Sequence, residues 1–173
     1  MDLNLKDRRA FVCGSTQGIG KAIAIELANM GAEIVLIARN EDILKATLQE
    51  LTTQHTNHHQ YLVADFDHPE QLKSQLNDFL DQNKSGEILI NNSGGPAGGQ
   101  AIDAALEEFR IAFNRHLICN QLLTQALVPQ MKKEAFGRII NIISTSVKMP
   151  IPGLGVSNTI RGAVGYGLRP IGN

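Results

Sequence analysis

Five short apolar runs alternate with amphipathic stretches along this chain, and the alternation constrains its fold more than any other feature. The runs cover residues 10–13, 34–38, 61–64, 88–90 and 138–143. Between them apolar residues recur at helical spacing, first at Ile19, Ile23, Leu27 and Met30 and last over residues 106–133. A strand that is apolar throughout is typical of a sheet covered on both faces. The pattern therefore predicts an α/β fold, in which helices cover both faces of a parallel sheet.

The composition is that of an ordinary globular domain, which we expect to span residues 1–173. Hydrophobic residues make up 43% of the chain and charged residues 19%, which argues against disorder. The formal net charge of -1 offers no basic field to nucleic acid or to an anionic membrane surface, and no apolar stretch is long enough to span a bilayer. The polar N-terminus and two distant cysteines, Cys13 and Cys119, favour a cytoplasmic protein without disulfides.

Several helix breakers stand close together near the end of the chain. They are Gly165, Gly167, Pro170 and Gly172. Glycine and proline are the least favourable residues in a helix interior. We therefore predict that a helix over residues 157–164 gives way to an irregular tail over residues 165–173.

A glycine-rich loop joins the first apolar run to the first amphipathic stretch. Gly14 permits a tight turn, Gly18 lets the backbone approach a pyrophosphate, and Gly20 lets the helix pack closely on the strand. The helix N-terminus offers free N–H groups and the positive end of a dipole to phosphates. A plain strand–helix turn is the alternative, but the position at the start of a βαβ unit favours dinucleotide binding. The predicted phosphate-binding residues are Gly14, Ser15, Thr16, Gln17, Gly18, Ile19 and Gly20.

Three further motifs follow the loop in order. Residues 13–20, which contain the loop, are similar to a TGxxxGIG motif with Cys13 in place of the threonine, and residues 91–94 (NNSG) are similar to an NNAG motif. Asp65 is similar to an adenine-binding aspartate, and residues 137–144 to a fifth strand that leads to a catalytic serine. In this order, and on these elements, the chain resembles the short-chain dehydrogenase/reductase family up to about Val164.

The resemblance implies both a fold and cofactor contacts. It implies a Rossmann-like, doubly wound sheet with the strand order 3-2-1-4-5, in which a chain of this length would lack the family's last strands. The fifth strand would then form an exposed edge of the sheet. Another copy of the chain could cover this edge, so a homo-oligomer is one possible state. The implied cofactor contacts beyond the loop are Asp65, Asn92, Ser93 and Gly94.

The end of the second apolar run bears on the choice of cofactor. An acidic residue there would bind a ribose 2′-OH and repel a 2′-phosphate, but this chain has Arg39 and Asn40. A guanidinium can pair with a phosphate through two hydrogen bonds. A solvated arginine at a strand end is the alternative. We predict NADP as the cofactor in preference to NAD.

The family's catalytic tetrad is asparagine, serine, tyrosine and lysine, and this chain matches it only in part. By resemblance, Ser144 stands at the serine, whereas His116, Ser157 and Arg161 stand at the other three positions. Ser157 is a much weaker acid than tyrosine, and Arg161 keeps its proton but can stabilise negative charge. Ser144 could polarise a carbonyl; a strand-end serine that satisfies backbone groups is the alternative. His116 could relay protons near neutral pH; a hydrogen-bonded structural histidine is the alternative.

The resemblance implies an oxidoreductase that uses NADP(H) to interconvert a small carbonyl and its alcohol, similar to the 3-oxoacyl-[acyl-carrier-protein] reductase branch. The altered tetrad leaves two alternatives open: a dinucleotide-binding protein without turnover, and a truncated gene product. We expect no metal site. His55, His58 and His59 have no cysteine or carboxylate among them, and we interpret them as part of a solvated loop.

Overall fold

The computed structural model describes residues 3–54 and 57–167. Strands and helices alternate within them as the apolar runs predict. The strands are β1 (Arg9–Cys13), β2 (Glu33–Ala38), β3 (Gln60–Val63), β4 (Ile88–Asn91) and β5 (Arg138–Asn141). The helices are α1 (Gly18–Asn29), α2 (Glu41–Gln54), α3 (Pro69–Gln82), α4 (Leu106–Phe113), α5 (Cys119–Lys133) and α6 (Gly155–Gly167), with a π-helical turn at Asn114–Ile118 and a 3-10 turn at Thr145–Val147.

The five strands form a parallel sheet in the order β3-β2-β1-β4-β5, which confirms the predicted topology. Ala10 of β1 pairs with Ile34 on one side and with Ile88 on the other. The chain therefore adds β2 and β3 on one side of β1, and then crosses back to add β4 and β5 on the other. This reversal leaves a crevice at the carboxyl ends of β1 and β4, where open parallel sheets bind ligands.

The sheet has a hydrophobic core on each face, because successive strand residues point to opposite sides. Phe11 packs with side chains of α3 and α5 on one face, and Val12 packs with side chains of α1 and α2 on the other. Both side chains are fully buried. This burial explains why the strands are continuously apolar in sequence rather than alternating.

Helix α1 packs against the sheet mainly through small residues, and not through every apolar residue of its periodic pattern. Gly20, Ala24 and Ala28 form its buried face, whereas Ile19 is 60% exposed and lines the crevice. Small side chains let the helix approach β1 closely, as the loop at its N-terminus requires. Ile19 therefore lies with the predicted cofactor-binding residues of the loop rather than in the hydrophobic core.

The long helical segment predicted over residues 106–133 is present as α4, the π-helical turn and α5 in direct succession. A π-helical turn inserts an extra residue into a helix and is frequent at functional sites. Here it carries Arg115 and His116, of which His116 is buried. Across residues 3–54 and 57–167, we find no helix that is both long enough and apolar enough to cross a membrane.

Helix α6 continues to Gly167, so the prediction of an irregular tail from residue 165 was wrong for its first three residues. A Cβ at Gly165 would lie 2.7 Å from Val147 Cγ1. The glycine therefore serves close packing between α6 and the 3-10 turn, and this packing outweighs its poor helix propensity. Residues 168–173 lie outside the described residues.

The histidine loop differs from its interpretation as a solvated segment at His59, whereas His58 is exposed. His59 is buried, and its Nδ1 accepts a hydrogen bond from the Ile34 N–H at 3.1 Å. It thus supports the packing of β2. His55 lies outside the described residues, and within those that are described no cluster of three metal-ligating side chains occurs.

Strand β5 forms one edge of the sheet in the described part of the chain, as predicted. Its side chains are unusually accessible for a strand, with Ile139 37% and Ile140 48% exposed.

Cys13 and Cys119 are both buried free thiols.

Candidate functional site

A cleft of about 490 Å³ opens at the carboxyl ends of the central strands. Its walls come from the loop after β1, the ends of β2 and β3, the residues after β4 and the π-helical turn. It brings together most of the predicted cofactor-binding residues. The lining residues are Gly14, Thr16, Gln17, Gly18, Ile19, Ile37, Ala38, Arg39, Ala64, Asp65, Phe66, Asn92, Ser93, Gly94, Gly95 and Arg115.

Three predicted cofactor residues, Ser15, Gly20 and Asn40, support the cleft without lining it. Ser15 is fully buried, and its hydroxyl donates to the carbonyl oxygen of Ile37 across 3.4 Å. Asn40 directly precedes α2, and its Oδ1 accepts a hydrogen bond from the Ile43 N–H in the first turn of that helix at 3.0 Å. Ser15 and Gly20 are therefore buried behind the cleft surface, whereas the exposed Asn40 stabilises the start of the neighbouring helix.

Gly14 and Gly20 are required by close packing of the loop. A Cβ at Gly20 would lie 2.2 Å from the carbonyl oxygen of Gly14, and a Cβ at Gly14 would lie 2.8 Å from Asn92 Nδ2. Gly14 also has a φ of 58°, which favours glycine. Any side chain at either position would push the loop away from the end of β1.

Gly18 differs from these two because it faces open space. Its φ is 52°, and within the described residues no heavy atom lies within 4 Å of a Cβ built there. Helix α1 begins at this residue, the Gln17 side chain does not cap it, and its first turn contains no acidic residue. The first N–H groups of α1 are thus available to an anion, whose charge the helix dipole would also favour.

Charged side chains form the wall of the cleft at the ends of β2 and β3. Arg39 and Asp65 line it, and the Asp65 carboxylate accepts a hydrogen bond from the Asp67 N–H at 3.0 Å. From the π-helical turn, Arg115 donates through Nε and Nη2 to both carboxylate oxygens of Asp67, with 2.6 Å between Nη2 and Oδ2. The Arg115 hydrogen bond, assisted by the charges of Arg115 and Arg39, holds the pKa of Asp67 below its ordinary value of 3.8.

The Arg115–Asp67 ion pair was not identified from the sequence. The two residues lie 48 positions apart, and no spacing rule connects the turn before α3 to the π-helical turn between α4 and α5. Two signals were nevertheless present: Arg115 directly precedes a predicted site residue, and Asp67 follows Asp65 by two positions.

The residues after β4 are held to their neighbours by side-chain hydrogen bonds. Asn92 Nδ2 donates to the carbonyl oxygen of Cys13 at 3.2 Å, which ties this segment to the glycine loop. Ser93 Oγ lies 2.8 Å from His116 Nδ1, which ties it to the π-helical turn. The cleft wall at this point is therefore cross-linked to two other elements.

His116 is almost completely buried, with 2% of its surface exposed. Burial, together with repulsion from Arg161 and Arg115, lowers its pKa to about 4. The imidazole is consequently neutral at pH 7 and does not titrate in the range expected of a near-neutral proton relay. Its contact with Ser93 matches the structural alternative considered for this residue.

Arg161 reaches the cleft region from α6. Its Nη1 donates to the carbonyl oxygen of Ile142 at 2.6 Å, and its Nη2 donates to the carbonyl oxygen of Ser93 at 3.3 Å. It therefore bridges the segments that follow β4 and β5. Ser157 lies one helical turn before it and is 9% exposed.

Ser144 lies just beyond β5, two residues after a carbonyl group that binds Arg161. Its Oγ accepts a hydrogen bond from the Ser146 N–H at 3.1 Å and thereby begins the 3-10 turn. The hydroxyl hydrogen remains available for donation, because this contact uses the oxygen only as an acceptor. The 3-10 turn packs against α6, which carries Ser157 and Arg161.

Comparison with known proteins places this geometry in a family. The profile of the short chain dehydrogenase family matches residues 8–164. The uncharacterized oxidoreductase YvaG of Bacillus subtilis (strain 168) is 34% identical over 150 residues, which are 87% of this chain and 56% of that protein. The inactive hydroxysteroid dehydrogenase-like protein 1 of Homo sapiens is 32% identical over 149 residues, which are 85% of this chain and 45% of that protein. The chain thus spans about half the length of these curated relatives.

Among solved structures, L-sorbose reductase from Gluconobacter frateurii, complexed with NADPH and L-sorbose, is similar with a TM-score of 0.89. The two sequences are 27% identical, and the similarity covers 95% of this chain and 62% of the reductase. All five strands of the sheet, the glycine loop and the residues after β4 lie within residues 8–164, which the family profile matches. The chain belongs to the short-chain dehydrogenase/reductase family.

Proposed function

We propose that this chain binds NADP(H) in the cleft and transfers hydride between the cofactor and a small carbonyl or alcohol. One observation carries the proposal. The glycine loop, the open N-terminus of α1 and Arg39 converge on a single cleft at the carboxyl ends of the strands. Solved relatives with NADPH or NADP bound, such as L-sorbose reductase, support the choice of cofactor.

The residues of the cleft fit a phosphorylated dinucleotide. Gly18 leaves room for a pyrophosphate against the start of α1, where free N–H groups can donate to it. Arg39 is exposed at the end of β2 and can pair with a 2′-phosphate. No acidic residue occupies positions 39 or 40, where it would repel that phosphate.

When bound, the nicotinamide ring supplies or accepts the hydride. Ser144 can donate its hydroxyl hydrogen to the carbonyl oxygen of a substrate, while the Ser146 N–H holds its oxygen in place. Arg161 adds positive charge, which stabilises negative charge that develops on that oxygen. Neither Ser157 nor the neutral His116 is a good proton donor at pH 7. Since general acid–base catalysis typically contributes about 10²- to 10⁴-fold, we expect slow turnover.

A dinucleotide-binding protein without turnover is the second candidate, and a specific observation favours it. Arg161 is held by two backbone carbonyls, and Ser157 is nearly buried. A relative of this chain is itself named as an inactive dehydrogenase-like protein. Cofactor binding would then persist, whereas substrate turnover would be absent.

Oxidation of NADPH against a panel of 3-oxoacyl thioesters, ketones and quinones separates the two candidates. We expect slow turnover by the wild-type chain that is lost in Ser144→Ala. Ser74→Ala is the matched control, because Ser74 is exposed on α3, away from the cleft. Binding of NADPH without turnover would favour the second candidate. Brisk turnover that survives Ser144→Ala would show that the chemistry lies elsewhere.

A further inference from the structure

Arg161 is a half-buried cation without a carboxylate partner among residues 3–54 and 57–167. Its two hydrogen bonds go to the carbonyl oxygens of Ile142 and Ser93. Carbonyl dipoles satisfy N–H groups but leave the full positive charge in place. A net positive charge therefore remains between the ends of β4 and β5.

This charge acts on neighbouring groups. Arg161 contributes to the low pKa of His116 by disfavouring a second positive charge there, after burial itself. Burial also lowers the pKa of Arg161 from its ordinary value of 12.5. The region is thus one in which an additional cation is destabilised.

The topology indicates which half of a dinucleotide would lie near Arg161. Arg39 and Asp65 stand at the ends of β2 and β3, on the side of the cleft suited to the adenosine. A dinucleotide in this fold lies across the crevice, with one half on each side of the switch point. The nicotinamide half is then expected beside Ser93, Gly94 and Gly95. A Cβ at Gly95 would lie 4.0 Å from Arg161 Nη2, so the guanidinium stands directly behind this wall.

We propose that Arg161 makes the cleft selective for the reduced cofactor, so that NADPH binds more tightly than NADP⁺; this rests on the proposed binding of NADP(H). The oxidised nicotinamide ring carries a positive charge that the reduced ring lacks. The adenosine, the 2′-phosphate and the pyrophosphate are the same in both forms. The repulsion from Arg161 therefore falls on NADP⁺ alone.

The expected preference is roughly tenfold, because unit charges in a partly buried site interact several times more strongly than in water. Arg161→Gln removes the charge and keeps a hydrogen-bond donor, so it should bring the two dissociation constants together. Arg161→Lys keeps the charge and should retain the preference. Arg138→Gln is the matched control, since Arg138 is an exposed arginine at the opposite end of β5.

Isothermal titration calorimetry of the full chain with NADPH and with NADP⁺ tests the proposal. We expect a lower Kd for NADPH in the wild type, in Arg161→Lys and in Arg138→Gln, and similar values for both cofactors in Arg161→Gln. Equal affinities in the wild type, or tighter binding of NADP⁺, would overturn the selectivity while leaving cofactor binding intact, even if Arg161→Gln fails to fold. If Arg161→Gln kept the same preference for NADPH over NADP⁺, another residue would be its source and the role proposed for Arg161 would be wrong. Failure of both cofactors to bind would instead overturn the proposed function, and the selectivity with it.

Discussion

Replacing Gly20 with alanine tests the packing that shapes the phosphate-binding loop. The added Cβ would lie 2.2 Å from the Gly14 carbonyl oxygen, far closer than atoms approach without a shift. The obstacle is backbone, so no side-chain rotation can relieve the contact. Either α1 must move away from β1, or the loop between Gly14 and Gly20 must open.

The magnitude follows from two opposing terms. Overpacking typically costs about 1–3 kcal/mol, and we take the upper end because backbone must move. Alanine in place of glycine stabilises a helix by about 1 kcal/mol, because alanine has the higher helix propensity. The net loss is about 2 kcal/mol, which corresponds to a fall in Tm of about 4–8 °C for a domain of this size.

Gly162→Ala provides the control of opposite sign. Gly162 also lies within a helix, but among the described residues no heavy atom comes within 4 Å of a Cβ built there. Only the helix-propensity term remains, so Tm should rise by about 2–4 °C.

Thermal unfolding followed by circular dichroism, with urea denaturation as a second measurement, distinguishes the two variants. Gly20→Ala should also bind NADPH more weakly, because the loop that holds the pyrophosphate is displaced. If Gly20→Ala instead raised Tm as Gly162→Ala does, the packing explanation of the loop would be wrong.

Three other predictions concern the cofactor, the buried histidine and the altered tetrad. Arg39→Ala should weaken NADPH binding and leave NADH binding nearly unchanged in titration calorimetry, because only NADPH has a 2′-phosphate to lose; an equal loss for both would contradict the role of Arg39. His116→Gln should flatten the pH dependence of stability measured by urea denaturation. In the wild type the pKa of His116 is about 4 when folded, against an ordinary 6.5, so the unfolded chain binds more protons in this window. The free energy of unfolding of the wild type should therefore fall by up to about 3 kcal/mol as the pH drops from 6.5 to about 4. An equally steep fall in His116→Gln would show that His116 is not the group responsible. Ser157→Tyr combined with Arg161→Lys should raise NADPH oxidation; no increase would mean that the altered tetrad is not what limits turnover.

The sequence predicted the fold well because burial and periodicity determine it. Strands such as β2, covered on both faces, must be apolar throughout, and a chain that alternates such strands with helices has few parallel arrangements available. The position of Gly14 and Gly20 at the first strand–helix junction then located the cleft, because both glycines are required by backbone contacts there.

The side-chain details of the cleft were less predictable because they depend on three-dimensional neighbours. Ser15 and Asn40 stand in the right segments, but their side chains bind the Ile37 carbonyl oxygen and the Ile43 N–H, and neither lines the cleft. Gly165 remained in a helix because close packing against Val147 outweighed its poor propensity. The contact of Arg115 with Asp67 depends on the π-helical turn, which no periodicity in the sequence revealed.

Titration of the wild-type chain with NADPH and with NADH is the most direct test of the central claim, that this cleft is a site for a phosphorylated nicotinamide dinucleotide. We predict saturable binding of one NADPH per chain, with a lower Kd than that of NADH, because Arg39 pairs with the 2′-phosphate. An absence of binding, or equal affinity for the two dinucleotides, would contradict that claim.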